Sequence, residues 1–316
     1  MSPDPRVVTL LPSATEIVAA LGVEPVGISH ECDYPPEVVG TPSVNRSRID
    51  ADASSAAINR QVVEAERAGG VYEIDVETLD DLDPDLVITQ GICDVCAVDS
   101  VLVEEAVAEI AADPEILTTD PHSLADVLRD VERIGRALGR EDRPRELAMG
   151  LKRRADRVGR RAAEADERPR VAVLDWTDPP MVAGHWVPEM VEIAGGEYGL
   201  ADPGERSEPR EWGEIREYDP EVLVVAPCGF DLEQTRENLS DLTDREVWAD
   251  LTAVREDRAV AVDGNAYLNR PGPRLVDSLE HLAGVIHPDR FESPPADAVR
   301  PLTDLARTGS ADQEPG

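Results

Sequence analysis

Two hexapeptides constrain this chain more than any other feature: Asp83-Pro84-Asp85-Leu86-Val87-Ile88 and Asp219-Pro220-Glu221-Val222-Leu223-Val224. Each sets a helix-stopping proline just ahead of an apolar run fit for a buried strand. Around each, strand and helix patterns alternate. In the first half, residues 6–11, 25–29 and 85–89 read as strands, with a short one near 116–118. In the second, residues 170–174, 221–226 and 259–262 do the same. Runs so continuously apolar are buried on both faces, which is the pattern of a parallel sheet covered by helices.

Between the two halves the periodicity is helical. Leu124, Val127, Leu128, Val131, Ile134 and Leu138 form a stripe, Gly139 to Pro144 interrupts it, and Leu147, Leu151 and Val158 resume it. This predicts a long, nearly continuous helical connector with a break near Pro144. Ser13-Ala14-Thr15-Glu16 reads as a capping box opening a helix that Gly22 ends. The expected fold is α/β, with two Rossmann-like α/β lobes joined by a single long α-helix and a ligand cleft between them. The lobes are placed at residues 1–122 and 169–290, with the connector at 123–168. Residues 291–316 carry prolines, acids and small residues without apolar period, and are expected to be a disordered tail.

Charge narrows the function. Sixty-six acids against 31 bases give a net charge of −35. Such a field repels nucleic-acid phosphates and anionic membranes. Lys152 is the only lysine and aromatics are 3% of the chain. That combination suits a very salty cytoplasm, where at about 1 M salt the screening length is roughly 3 Å and self-repulsion is damped. No stretch approaches 18 apolar residues, so no helix is expected to span a membrane. The N-terminal residues show no signal peptide, lipobox or twin-arginine motif, so a cytoplasmic monomer is expected. Four cysteines do not make a disulfide scaffold.

Open parallel sheets bind ligands beyond the carboxyl ends of their strands. Those ends here carry His30-Glu31-Cys32-Asp33-Tyr34, Gln90-Gly91-Ile92-Cys93-Asp94-Val95-Cys96, Asp175-Trp176, Gly184-His185-Trp186, Pro227-Cys228 and residues 263–271. All four cysteines and two of the five histidines fall on this rim. His30, Cys32, Cys93, Cys96, His185 and Cys228 are therefore candidate ligands of zinc or an iron–sulfur cluster. The plain alternative stays open, since one Cys-x-x-Cys pair is half a metal pattern and small cysteines are commonly buried. Trp176, Trp186 and Tyr267 offer flat apolar faces to a ligand, unless the lobe cores claim them. Arg46 and Arg48 suit an anionic group or, equally, a solvated loop. There is no phosphate-cradling glycine loop, no Gly-x-Ser-x-Gly elbow and no visible nucleophile–base–acid set. A binding protein is expected, not an enzyme. The remaining class, a thiol redox enzyme, lacks a thioredoxin-type surrounding for Cys93 and Cys96.

With these residues in hand, the chain resembles the ABC-transporter substrate-binding proteins for cobalamin and iron–siderophores over about residues 6–290. The resemblance is carried by residues 6–16, Asp33-Tyr34-Pro35-Pro36, the first hexapeptide, Gly195-Gly196 and Arg270-Pro271-Gly272-Pro273-Arg274. More narrowly, it is similar to a signal-less haloarchaeal subgroup carrying Ser-His-Glu-Cys-Asp-Tyr-Pro, Cys-x-Val-Cys-Ala-Val, Gly-His-Trp-Val-Pro-Glu and Pro-Cys-Gly-Phe-Asp. The resemblance implies a helix-bridged two-lobe receptor for a cobalamin-like corrinoid. It implies that the Asp33-Tyr34-Pro35-Pro36 loop and the cleft aromatics line the site; with the residues read from the strand ends, the candidate lining is Ser13, His30, Glu31, Asp33, Tyr34, Arg46, Arg48, Gln90, Trp176, His185, Trp186, Tyr267 and Arg270. It also implies an ABC permease partner that meets one acid on each lobe. Glu77, seven residues before Pro84, is the first; Gly213 holds the equivalent place before Pro220, with Glu214 beside it.

Overall fold

The computed structural model describes residues 4–68, 70–91, 98 and 100–308. The first lobe opens with β1 (Val7–Thr9), α1 (Pro12–Ala20) and β2 (Gly27–Ile28). β3 (Asn45–Ser47), α2 (Ser55–Arg67), β4 (Tyr72–Ile74) and α3 (Val76–Asp81) follow. β5 (Leu86–Gln90), α4 (Ser100–Glu109) and β6 (Glu115–Thr119) complete it. The main sheet runs β2-β1-β5-β6 with all neighbours parallel, while β3 and β4 pair antiparallel. Alternation along the strands buries both faces. Val7, Leu86 and Ile88 pack with Ile17 and Val131; Val8, Leu10 and Val87 pack with Leu79 and Val103.

Two helices lead to the second lobe, α5 (Leu124–Ala137) and α6 (Asp142–Ala162). The expected single connector over 123–168 is corrected here: the chain turns back on itself. Leu124 and Val127 share a core with Leu151, Ala155 and Val158, while Val131, Ile134 and Leu138 share one with Ala148. Gly135 meets Pro144 so closely that a Cβ on it would lie 2.0 Å from the proline ring. Gly139, at φ 67°, supplies the left-handed step of the reversal. α5 and α6 thus both lie across the two cores, and the chain passes into the second lobe along α6, with Ala148 in the first-lobe core and Leu151, Ala155 and Val158 in the second.

The second lobe begins with β7 (Val171–Thr177), β8 (Pro180–Val182), α7 (Val187–Ile193), β9 (Glu208–Pro209) and α8 (Trp212–Tyr218). β10 (Val222–Val225), α9 (Leu232–Glu237), α10 (Ser240–Thr243), α11 (Thr252–Arg255) and β11 (Ala259–Val262) continue it. α12 (Leu275–Ile286), β12 (Val299–Pro301) and α13 (Leu302–Thr308) close it. The sheet order is β12-β11-β10-β7-β8-β9. Its centre is parallel; β8, β9 and β12 add antiparallel edges.

The two hexapeptides build the same joint in both lobes. Arg6 Nε donates to the carbonyls of Leu82 and Asp83 at 2.9 and 3.1 Å. Arg170 Nε donates to those of Tyr218 and Asp219, both at 3.0 Å. Asp83 and Asp219 are left-handed, at φ 41° and 46°, where α3 and α8 end. An arginine ahead of each lobe's first strand therefore satisfies carbonyls that a helix end orphans.

The tail expectation is corrected over residues 291–308; residues 309–316 lie outside the described residues. β12 pairs antiparallel with β11, and Leu302 and Leu305 of α13 are buried in the second-lobe core. The period-free stretch around Pro294 and Pro295 is only the approach to a short edge strand.

Candidate ligand-binding site

The lobes meet through a charged cluster. Asp33 follows β2 in the first lobe; Arg270 and Arg274 stand in the second, on the loop between β11 and α12. Arg270 Nη1 donates to Asp33 Oδ1 at 2.5 Å, and Arg270 Nη2 to Asn265 Oδ1 at 2.8 Å. Asn265 Nδ2 in turn donates to Asp33 Oδ2 at 3.1 Å. Burial pushes the Asp33 carboxyl up, but the bonds and charge of Arg270 outweigh it and hold the group below its ordinary value. Arg274 Nη2 donates to Glu16 Oε1 at 2.6 Å, and Arg270 Nη1 lies 3.7 Å from the same oxygen. The Arg274 guanidinium also sits over the Tyr34 ring at 4.1 Å and the Tyr267 ring at 5.7 Å. Asp33, Tyr34, Tyr267 and Arg270 are thus brought to one place. Ser13 lies against the same loop: a Cβ on Gly272 would be 3.3 Å from its Cα.

A second contact joins the lobes at the start of α2. The Ser55 N–H donates to Asn238 Oδ1 at 3.0 Å, and its hydroxyl to Asp241. Asp241 Oδ2 also accepts from Thr177 Oγ1 at 2.9 Å.

Other candidates lie apart. Trp186 is corrected: it is a core residue, 6% exposed, its Nε1 bonded to the Leu268 carbonyl. Trp176 is partly buried against Phe230, with ring centroids 5.0 Å apart and a buried Nε1 without a hydrogen-bond partner. Arg46 is tied to Glu73 at 2.9 Å, and Arg48 donates to the Gly70 carbonyl at 3.2 Å. Both arginines are engaged on their own lobe's surface, away from the charged cluster. Gln90 is buried in β5. His30 Nδ1 lies 3.2 Å from Asn45 Oδ1, and Glu31 accepts a long bond of 3.4 Å from the Tyr72 hydroxyl.

The sulfur rim does not assemble. Cys32 is buried beside Thr15 Oγ1 at 3.0 Å, and burial pushes its thiol up to about 11. Cys228 stands in the other lobe, its N–H donating to the Asp175 carbonyl at 2.9 Å. Cys93 and Cys96 lie outside the described residues. Among the described residues, no three His, Cys, Asp or Glu side chains gather to hold a metal. The zinc and iron–sulfur expectation therefore finds no support in His30, Cys32, His185 and Cys228.

His185 instead meets a histidine that the sequence did not single out for the site. His122 follows β6, and its ring centroid lies 6.0 Å from that of His185. Asp120 braces His122 at 3.1 Å, and the Gly204 carbonyl lies 3.2 Å from its Nδ1. His185 is left-handed at φ 52°, and its Nδ1 is buried without a partner. Glu16 and Arg274 were missed too. Glu16 was assigned to a capping box, yet α1 starts at Pro12 with Leu11 as its unbonded cap. An acid on the buried side of a short apolar helix was the available signal.

The sequence profile described as "Periplasmic binding protein" matches residues 7–266. An uncharacterised ABC transporter substrate-binding lipoprotein, YvrC of Bacillus subtilis strain 168, is 24% identical over 295 residues, covering 91% of this chain and 81% of its own. A vitamin B12-binding protein of Vibrio cholerae is 22% identical over 303 residues, covering 89% and 88%. The apo structure of the periplasmic heme-binding protein RhuT from Roseiflexus sp. RS-1 superposes with a TM-score of 0.69 at 26% identity, covering 90% of this chain and 99% of its own. These findings overturn the cytoplasmic expectation: the matching family is periplasmic and the Bacillus relative is a lipoprotein, both extracytoplasmic. No helix among the described residues is long and apolar enough to cross a membrane. With two α/β lobes linked through α6 and a profile match over most of its length, the chain belongs to the periplasmic binding protein family of ABC transporter solute-binding proteins.

Proposed function

We propose that this protein captures a cobalamin-like corrinoid between its lobes and delivers it to an ABC permease, without catalysing a reaction. The observation that carries this is the pair Tyr34 and Tyr267, one from each lobe, meeting at the same interlobe loop. Aromatic faces of this kind suit a broad planar macrocycle. The B12-binding name of the Vibrio relative supports the choice of ligand. For docking, Glu77 and Glu214 are exposed acids in the first turns of α3 and α8, the helices that precede the two hexapeptides. One such acid on each lobe can steer a basic permease face. Glu214 also closes a capping box, accepting the Glu211 N–H at 2.8 Å, so its carboxylate is held at the helix start.

A heme is the second reading. His185, strained, partly buried and with an unpartnered Nδ1, has the chemistry of an axial iron ligand. RhuT, a heme-binding protein by name, is the structural neighbour at 26% identity. Titration of the purified full chain with cyanocobalamin and, separately, hemin decides between them. Saturable binding of cyanocobalamin, weakened about fivefold by Tyr267→Ala, is the expected result, since one lost ring contact is worth on the order of 1 kcal/mol. Binding of hemin alone, lost in His185→Ala, would replace the corrinoid.

A further inference from the structure

We propose that Glu16 is an electrostatic latch that holds the lobes closed on one another in the absence of ligand. Its side chain is 2% exposed on α1 of the first lobe. Every partner its carboxylate has among the described residues comes from the second lobe: Arg274 at 2.6 Å and Arg270 at 3.7 Å, both to Oε1. Its other oxygen, Oε2, is buried with no hydrogen bond, as is Nε of Arg274. A buried carboxylate stripped of its cations is strongly unfavourable, so it must keep the arginines or gain water. Keeping them fixes the lobe spacing; gaining water requires the lobes to part.

The arginines are in turn committed to the first lobe. Arg270 also bonds Asp33, and Arg274 stacks on Tyr34. Gly272 packs closely on α1, where a Cβ on it would lie 3.3 Å from the Ser13 Cα and 3.4 Å from Glu16 Oε2. Opening therefore exchanges one buried ionic set for hydrated ions, a two-arrangement switch rather than a gradual loosening.

The test uses the full chain without ligand, by small-angle X-ray scattering and peptide-resolved hydrogen exchange. In the doubly substituted Arg270→Gln/Arg274→Gln protein, the stranded Glu16 should drive the lobes apart. The expected result is a larger radius of gyration and roughly tenfold faster exchange over residues 12–20 and 265–274. Adding Glu16→Gln to that pair removes the stranded charge but restores no ion pair, so the triple variant should keep a radius and an exchange rate above wild type. Faster exchange without a change in radius would overturn the proposal, because the lobes would not have moved. A triple variant with wild-type radius and exchange would overturn it as well, because the lobes would then stay closed without the latch. If the arginine pair does not fold, Glu16→Gln alone carries the test: faster exchange at residues 265–274 supports the latch, and wild-type exchange overturns it.

Discussion

The indole Nε1 of Trp186 donates to the main-chain carbonyl of Leu268 at 2.7 Å. Leu268 stands two residues before Arg270 and is left-handed at φ 61°, an unfavourable region for a branched side chain. Ser278 Oγ accepts its N–H at 2.9 Å. A core tryptophan thus helps to pin the loop that carries both interlobe arginines. Trp186→Phe keeps most of the ring but leaves the carbonyl without its donor, at a cost of about 1–3 kcal/mol. Denaturant titration should show that loss, and exchange over residues 265–274 should accelerate. Unchanged stability would mean that solvent replaces the indole and that the loop is held elsewhere.

Leu305 is 2% exposed and packs in the second-lobe core from α13. Leu305→Ala should cost about 2–5 kcal/mol, the range for a buried leucine truncated to a cavity. Ending the chain after Glu292 removes that side chain together with the β11–β12 pairing. The thermal midpoint should fall by several degrees at least. A midpoint within one degree of the intact chain would show that the last elements add nothing.

Both lobes were legible because their strands are apolar without interruption, and the hexapeptides marked where the main strands begin. Asp33, Tyr34, Tyr267 and Arg270 were legible from their places at strand ends. The hairpin of α5 and α6 was not, because a helical stripe is the same whether the chain continues or turns back. The contact of Gly135 with Pro144 and the cores that the two helices share decide it. Trp186 was misread because its indole partner is a main-chain carbonyl 82 residues away. Glu16 was misread because a Ser-x-x-Glu spacing fits a capping box, and its true partners lie 254 and 258 residues further on. Long-range pairing of this kind leaves no local trace.

Cys32 bears on whether the rim cysteines are reactive. Its thiol is raised to about 11 by burial, partly offset by Thr15. At pH 8 about one molecule in a thousand then carries the thiolate, against about one in four for an ordinary cysteine near 8.5. Alkylation by N-ethylmaleimide, followed by peptide mass spectrometry, should therefore be at least about 100-fold slower at Cys32 in the native protein than in denaturant. Comparable rates in the two states would show an accessible, activated sulfur and revive a redox role.

His185 sets a pH dependence whose sign is fixed by burial. Burial lowers its pKa from the ordinary value of 6.5, and the nearby charges of His122 and Arg206 lower it further, while Asp120 works the other way. The unfolded chain takes up a proton near pH 6.5 that the native chain resists, so the unfolded state binds more protons in that window. The stabilisation is complete above about pH 6.5 and is lost as the pH falls through the native value. His122 is the group facing it across the lobes, so protonating both rings would also set like charges 6.0 Å apart. Unfolding free energies from urea titrations at pH 8 and pH 5.5 should be lower at the acid end. In His185→Gln that drop should be smaller, because Gln takes no proton in either state. Equal drops in the two proteins would show that His185 is free to protonate in the native fold.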